Sequence, residues 1–149
     1  MFRVLGPRMD ALAGPSYILP LIPEPEDSNV MADIFFSEAR ANAPLTTKLV
    51  TAIPYVVAFA FSRVAPQKHI PEHDHWNPYL VALLCLQDGG GSYLIVGGER
   101  HDFKTGEVTL FDYTLPHEVK NEGTEERIVL LVVIDPKRAV QYLAPEPRA

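Results

Sequence analysis

The chain has 149 residues, 47% of them hydrophobic and 21% charged, the composition of one ordered domain and not of a disordered segment. Its 13 basic and 19 acidic residues give a formal charge of −6, which excludes the basic face that a nucleic-acid binder or a polybasic membrane anchor needs. The 14 prolines, roughly twice the usual share of about 5%, exclude a helical bundle and favour strands, turns and extended arms.

Residues 1–27 hold Pro7, Pro15, Pro20, Pro23 and Pro25 and read as an extended arm with one short strand at 17–22. Ser28 stands as an N-cap before residues 29–40, where Val30, Ile34 and Phe35 repeat at helical spacing and predict one short helix that Pro44 stops. From there the texture is β. Strands are predicted over 47–53 and 55–64, and 66–78 forms a polar, His-rich segment. An apolar strand over 79–86 follows. Asp88-Gly89-Gly90-Gly91 then signals a hairpin into 92–96, and Gly97-Gly98 a second hairpin into 99–103. Strands over 107–112, 117–120 and 127–134 complete the set, with Asn121-Glu122-Gly123 as a further turn. Pro136 ends the last strand, and Pro145 and Pro147 mark a loose tail. Seven or eight short strands with Gly turns predict a β-sandwich or closed barrel, divided as arm and helix (1–46), barrel (47–136) and C-terminal tail (137–149).

Cys85 lies inside the apolar run 79–86 and reads as a core residue, since a reactive thiol needs an electropositive, partly exposed setting. One thiol makes no internal disulfide, which points to a reducing compartment. Residues 1–19 lack the clean apolar core of a signal peptide, and the longest apolar run, 128–134, is too short to span a bilayer. The expectation is a cytoplasmic protein whose Pro-rich arms cross onto a neighbour in a homodimer.

The chain has 5 histidines. His101 lies between Arg100 and Asp102 in a hairpin and reads as surface; His69 reads as a rim residue. His73 and His75 differ because alternate residues of a strand share a face, so both imidazoles project together. Two imidazoles that close would repel if protonated, and a divalent metal is the natural occupant. Glu72 and Asp74 then fall on the opposite face. His117 follows a strand and a tight turn that return toward the same core.

The segment from Gly106 through Phe111-Asp112 to His117-Glu118-Val119-Lys120-Asn121 resembles the second motif of the cupin superfamily, and His73-Asp74-His75 its first. The chain is also similar to the aspartyl/asparaginyl β-hydroxylase family, iron- and 2-oxoglutarate-dependent oxygenases on a double-stranded β-helix. The resemblance rests on Ile70-Pro71-Glu72-His73, on Gly106-Glu107-Val108-Thr109-Leu110-Phe111-Asp112 and on His117-Glu118-Val119. It also takes in Arg127 ten residues after that histidine, the apolar run 128–134 and Asp135-Pro136, so it covers residues 57–136. It implies an all-β jelly roll, Fe(II) held by His73 and His117, and the distal carboxylate of 2-oxoglutarate bound by Arg127. With Asn121-Glu122-Gly123 as a three-residue hairpin loop, His117 faces Arg127 across that hairpin, and a bidentate guanidinium suits the far carboxylate.

Two departures from the family pattern stand out. The usual third position is Asp or Glu, and here it is His75, which makes a three-histidine set as in other cupin dioxygenases. Within 79–86 the family tends to carry an Arg and a His, whereas this chain is apolar. The lining of Tyr79, Val81 and Leu83, with Tyr79 beside the cosubstrate and Trp76 at the mouth, therefore suits a small molecule of low polarity and not a peptide aspartate. Two alternatives stay open, a three-histidine cupin enzyme without 2-oxoglutarate and a non-catalytic binding cupin. Arg127 separates the first from the 2-oxoglutarate reading.

Overall fold

From residue 56 onward short strand-forming segments follow one another between turns, and alternate residues of most of them face a shared interior. The computed structural model describes residues 16–22 and 41–143. Nine strands occur there: β1 (Ser16–Ile22), β2 (Val56–Val64), β3 (Lys68–His73), β4 (Leu80–Asp88), β5 (Ser92–Val96), β6 (Glu99–Asp102), β7 (Val108–Asp112), β8 (His117–Asn121) and β9 (Arg127–Ile134). They form two antiparallel sheets in the orders β1-β2-β9-β4-β7 and β3-β8-β5-β6, the two walls of a double-stranded β-helix. Strand β1 corresponds to the one expected over 17–22. The helix expected over 29–40 lies outside the described residues. No helix among the described residues is long and apolar enough to cross a membrane.

The core fills the space between the walls. Val81 and Val129 are fully buried from the first sheet, and Leu94 and Val119 face them from the second at 1% and 5% exposure. Each such side chain contributes about 1.5–3 kcal/mol relative to exposure. Cys85 belongs to this core, as expected. Burial holds its thiol above the ordinary value, so it stays protonated.

Four expectations change. Residues 47–53 are not a strand. Pro44 opens helix α1 (Pro44–Thr51) at its first turn, where proline's missing N–H costs nothing. Thr51 Oγ1 donates to the Thr47 carbonyl at 2.6 Å. The β-branched preference is overridden by packing: Val50 joins Phe59 in a second small cluster, on the outer face of the first sheet. The C-terminal segment is likewise not all loose, because Pro136–Leu143 forms helix α2. Asp135 caps it, its carboxylate accepting from the Lys137 N–H at 2.9 Å; an Asp-Pro pair is a helix start as much as a strand stop.

The third and fourth changes concern connections. The Asp88–Gly91 turn is not a hairpin: β4 and β5 lie in different sheets, and only the β5–β6 hairpin forms as expected. Nor do β8 and β9 pair. His117 stands opposite His73 and Val96, and Arg127 stands opposite Val64 and Asp88. The chain crosses from one wall to the other because both strands carry a buried alternate row, and one interior satisfies both. Gly123 makes the crossing possible, since a Cβ there would lie 1.8 Å from the Gly89 carbonyl oxygen. Buried Asn121 ties the crossing down by donating to the carbonyls of Val64 (3.0 Å) and Glu125 (2.8 Å).

Candidate metal centre

Strand β8 delivers His117 from its first position, and the row His117, Val119, Asn121 is buried throughout. Its cross-strand partner is His73. The pairing runs Ile70 with Val119 and then His73 with His117, so β3 carries one extra residue at Pro71-Glu72. Proline has no N–H for the ladder, and a bulge at this point re-aims the following side chain, placing His73 against His117. Strand β3 ends at His73, so the period-two reason for His75 does not apply. Instead the His75 N–H donates to the Tyr113 carbonyl at 3.3 Å, and that bond brings the ring back beside its neighbours.

The three histidines converge as the sequence predicted. Each offers one ring nitrogen, and these lie within 4.8 Å of one another. Ring centroids are 4.3 Å apart for His73 and His117, 5.3 Å for His73 and His75, and 5.7 Å for His75 and His117. His73 is exposed, His75 half-buried and His117 buried, so the cluster opens on one side. His73 Nδ1 bonds the Pro71 carbonyl at 2.8 Å and His117 Nδ1 the Leu115 carbonyl at 2.7 Å. A carbonyl only accepts, so both Nδ1 atoms carry the proton and both Nε2 lone pairs are left for a ligand. Burial, with the neighbouring imidazoles His73 and His117, pushes His75 down to about 4, and burial lowers His117 as well. At neutral pH His75 and His117 are uncharged bases.

That donor set fits a divalent transition metal. Neutral imidazoles suit Zn, Fe, Ni or Cu, and bonds of about 2.0–2.2 Å need donor spacings of about 3–3.5 Å, a short side-chain adjustment from those present. Three protein donors on an open side leave positions for exogenous ligands.

Arg127 is the other feature of the interior. It is 1% exposed on the inward row of β9, with its guanidinium carbon 5.2 Å from the Phe103 ring centroid and Nη2 3.3 Å from Ser62 Oγ. Its Nε is buried with no hydrogen-bond partner. No carboxylate among the described residues pairs with it: Glu126 is bonded to Arg63, and Asp88 accepts from Gly90 and Thr105. Burial pushes the guanidinium down to about 10, so it stays charged at neutral pH. A dry cation with an idle donor is costly unless an anion meets it. Arg127 and His117 thus reach one interior from opposite walls and not across a hairpin.

Tyr79 is half-buried just before β4, its carbonyl accepting from the Tyr113 N–H at 3.0 Å. Val81 and Leu83 line the core, Trp76 is 75% exposed beside the histidines, and His69 and His101 are exposed on β3 and β6. Sequence reasoning missed two residues. Ser62 left a signal, being the one hydroxyl in the inward row Ala58, Ala60, Ser62, Val64 of β2. Tyr113, stacked on His75, follows the end of β7 and left none.

A sequence model described as aspartyl/asparaginyl β-hydroxylase matches residues 30–136. No curated protein matches the chain. Among solved structures it is similar to the Cupin_2 domain of an XRE family transcriptional regulator from Enterobacter cloacae, with 12% identity over 82% of this chain and 98% of that one and a TM-score of 0.54. It is also similar to a Cupin 2 conserved barrel domain protein from Salinispora arenicola, with 18% identity over 85% and 82% and a TM-score of 0.49. The first likeness speaks to the fold alone: a cupin barrel. The family match spans well over half the chain and includes all three histidines and Arg127, and this protein belongs to the aspartyl/asparaginyl β-hydroxylase family.

Proposed function

We propose that this chain is a non-haem iron oxygenase that uses 2-oxoglutarate and O₂ to oxidise a small molecule, hydroxylating or desaturating it. The observation that carries this reading is Arg127: fully buried, charged, without a carboxylate partner among the described residues, and with an idle Nε. An anionic cosubstrate would supply what the fold leaves out. His73, His75 and His117 would hold the iron through their free nitrogens. Bound there, the metal would supply the redox chemistry that couples decarboxylation of the keto acid to oxidation of the substrate.

The chain's own residues do the rest. Arg127, with the Ser62 hydroxyl beside it, would grip the distal carboxylate by charge-assisted bonds in a dry setting. The Pro71 and Leu115 carbonyls keep His73 and His117 in one tautomer. Phe111 closes one side of His117, ring centroids 5.1 Å apart, while Val81 and Leu83 exclude water behind it. Trp76, exposed and next to His75 in the chain, would give the mouth an apolar surface for a substrate of low polarity.

One observation favours a second reading. His75 takes the place of the family's usual carboxylate, and a neutral three-histidine set also serves cupin enzymes that need no keto acid. The test is anaerobic addition of Fe(II) and then 2-oxoglutarate, looking for a visible absorption band that needs both, followed by succinate measurement in air. A band and succinate support the 2-oxoglutarate reading; turnover of a substrate without succinate overturns it in favour of the second.

A further inference from the structure

The three histidines are not held in the same way. His73 and His117 each have Nδ1 on a main-chain carbonyl. No hydrogen bond to the His75 ring occurs among the described residues. Its ring lies instead flat against Tyr113, centroids 3.7 Å apart and planes 17° from parallel. Tyr113 is 8% exposed, and its main chain is clamped on both sides: it accepts from the His75 N–H and donates to the Tyr79 carbonyl. The Tyr113 ring also lies 5.5 Å from His117 and edge-on to Phe111 at 6.4 Å.

We propose that Tyr113 is a positioning residue that sets His75 as the third metal ligand by ring stacking, the task that the carbonyls of Pro71 and Leu115 perform for the other two. The proposal rests on the metal reading above and deepens it. The torsion that turns an imidazole about its Cβ–Cγ bond is broad, so a histidine without a hydrogen bond has no preferred plane. A ring face at 3.7 Å removes that freedom, because any large rotation drives an imidazole edge into the tyrosine. Stacking fixes the plane but not which nitrogen points inward. His75 is therefore the ligand whose geometry depends on a side chain, where the other two depend on the backbone.

The test is a Co(II) titration of metal-free protein, without substrate or 2-oxoglutarate, followed by visible spectroscopy. Tyr113→Leu keeps apolar volume but removes the ring face; Tyr113→Phe keeps the face. The proposal expects Tyr113→Leu to weaken Co(II) by roughly 10-fold to 100-fold, the usual cost of losing a residue that orients a ligand. Its spectrum should match that of His75→Ala, while Tyr113→Phe should match wild type. In a His75→Ala background, Tyr113→Leu should add no further loss, since a residue acting through His75 has nothing left to orient. Equal Co(II) binding by Tyr113→Leu and wild type overturns the proposal alone, as does full additivity in the double variant. Wild-type protein that takes up no Co(II) overturns the metal reading and this proposal with it. Tyr113→Phe that fails like Tyr113→Leu assigns the effect to the hydroxyl and also overturns it.

Discussion

His73 and His117 are cross-strand partners whose rings lie 4.3 Å apart, and each bonds through Nδ1 to the carbonyl two residues before it. The two histidines repeat one local device on neighbouring strands: a proline-containing approach (Pro71, Pro116), a carbonyl turned back, and a ring held with Nε2 toward the same point. Beside this pair, His75 offers a third ring nitrogen within 4.8 Å of the other two.

Replacing His117 by Ala removes the buried member of that set. Metal analysis after dialysis should find the His117→Ala protein empty, whereas His101→Ala, on the exposed strand β6, should retain the wild-type amount. Stoichiometric metal in His117→Ala would break the assignment.

Arg127→Ala should weaken 2-oxoglutarate by roughly 2–5 kcal/mol, the usual cost of truncating one partner of a buried charge pair, and leave the metal in place. Arg127→Lys should recover only part of this, because an ammonium cannot match the guanidinium fork. Isothermal titration of the metal-loaded protein reads both. Turnover free of succinate with a silent Arg127→Ala would assign the chain to the keto-acid-independent cupins.

The same residue predicts a trade of stability for function. An unpaired buried donor costs on the order of 1–3 kcal/mol. Arg127→Met fills similar space without the charge, so it should raise the thermal midpoint of the ligand-free protein while abolishing response to 2-oxoglutarate. A lowered midpoint would mean that the guanidinium is already satisfied in the free protein.

The lowered imidazole values fix the sign of a pH effect. In the metal-free protein His75 takes its proton near 4, against about 6.5 in an unfolded chain. Between those values the unfolded state binds more protons, so stability rises with pH there. Denaturant melts of metal-free protein should show stability intact above pH 6.5 and falling from there toward pH 4. His75→Ala should flatten part of that slope; an unchanged slope would remove His75 as its cause.

Gly123→Ala places a Cβ 1.8 Å from the Gly89 carbonyl oxygen, a main-chain atom that cannot swing aside. The variant should lose several kcal/mol, roughly 3 or more, or fail to fold. Gly98→Ala is the control: open space surrounds that position, and only its φ of 86° resists a side chain. Equal melting of the two would show that the crossing loop shifts freely.

Chain-local signals determined much of this protein. The apolar runs 79–86 and 128–134 declare buried strands by themselves, because a run of Val, Leu and Ile bounded by turn residues is a property of neighbours. The Gly97-Gly98 hairpin is legible for the same reason, and so were the three histidines and Arg127, through motif and spacing. Sheet membership was not. Whether Asp88–Gly91 and Glu122–Glu126 close hairpins or carry the chain across the barrel depends on which wall the next apolar row must face, and short glycine turns serve both. Residues 47–51 tell the same story: Thr47, Val50 and Thr51 favour a strand locally, yet Val50 packing on Phe59 draws them into a helix. The tautomers at His73 and His117, the bulge at Pro71-Glu72, the stacking of Tyr113 on His75 and the idle Nε of Arg127 all arise between residues distant in sequence or set by a turn, so only the folded arrangement of the two walls decided them.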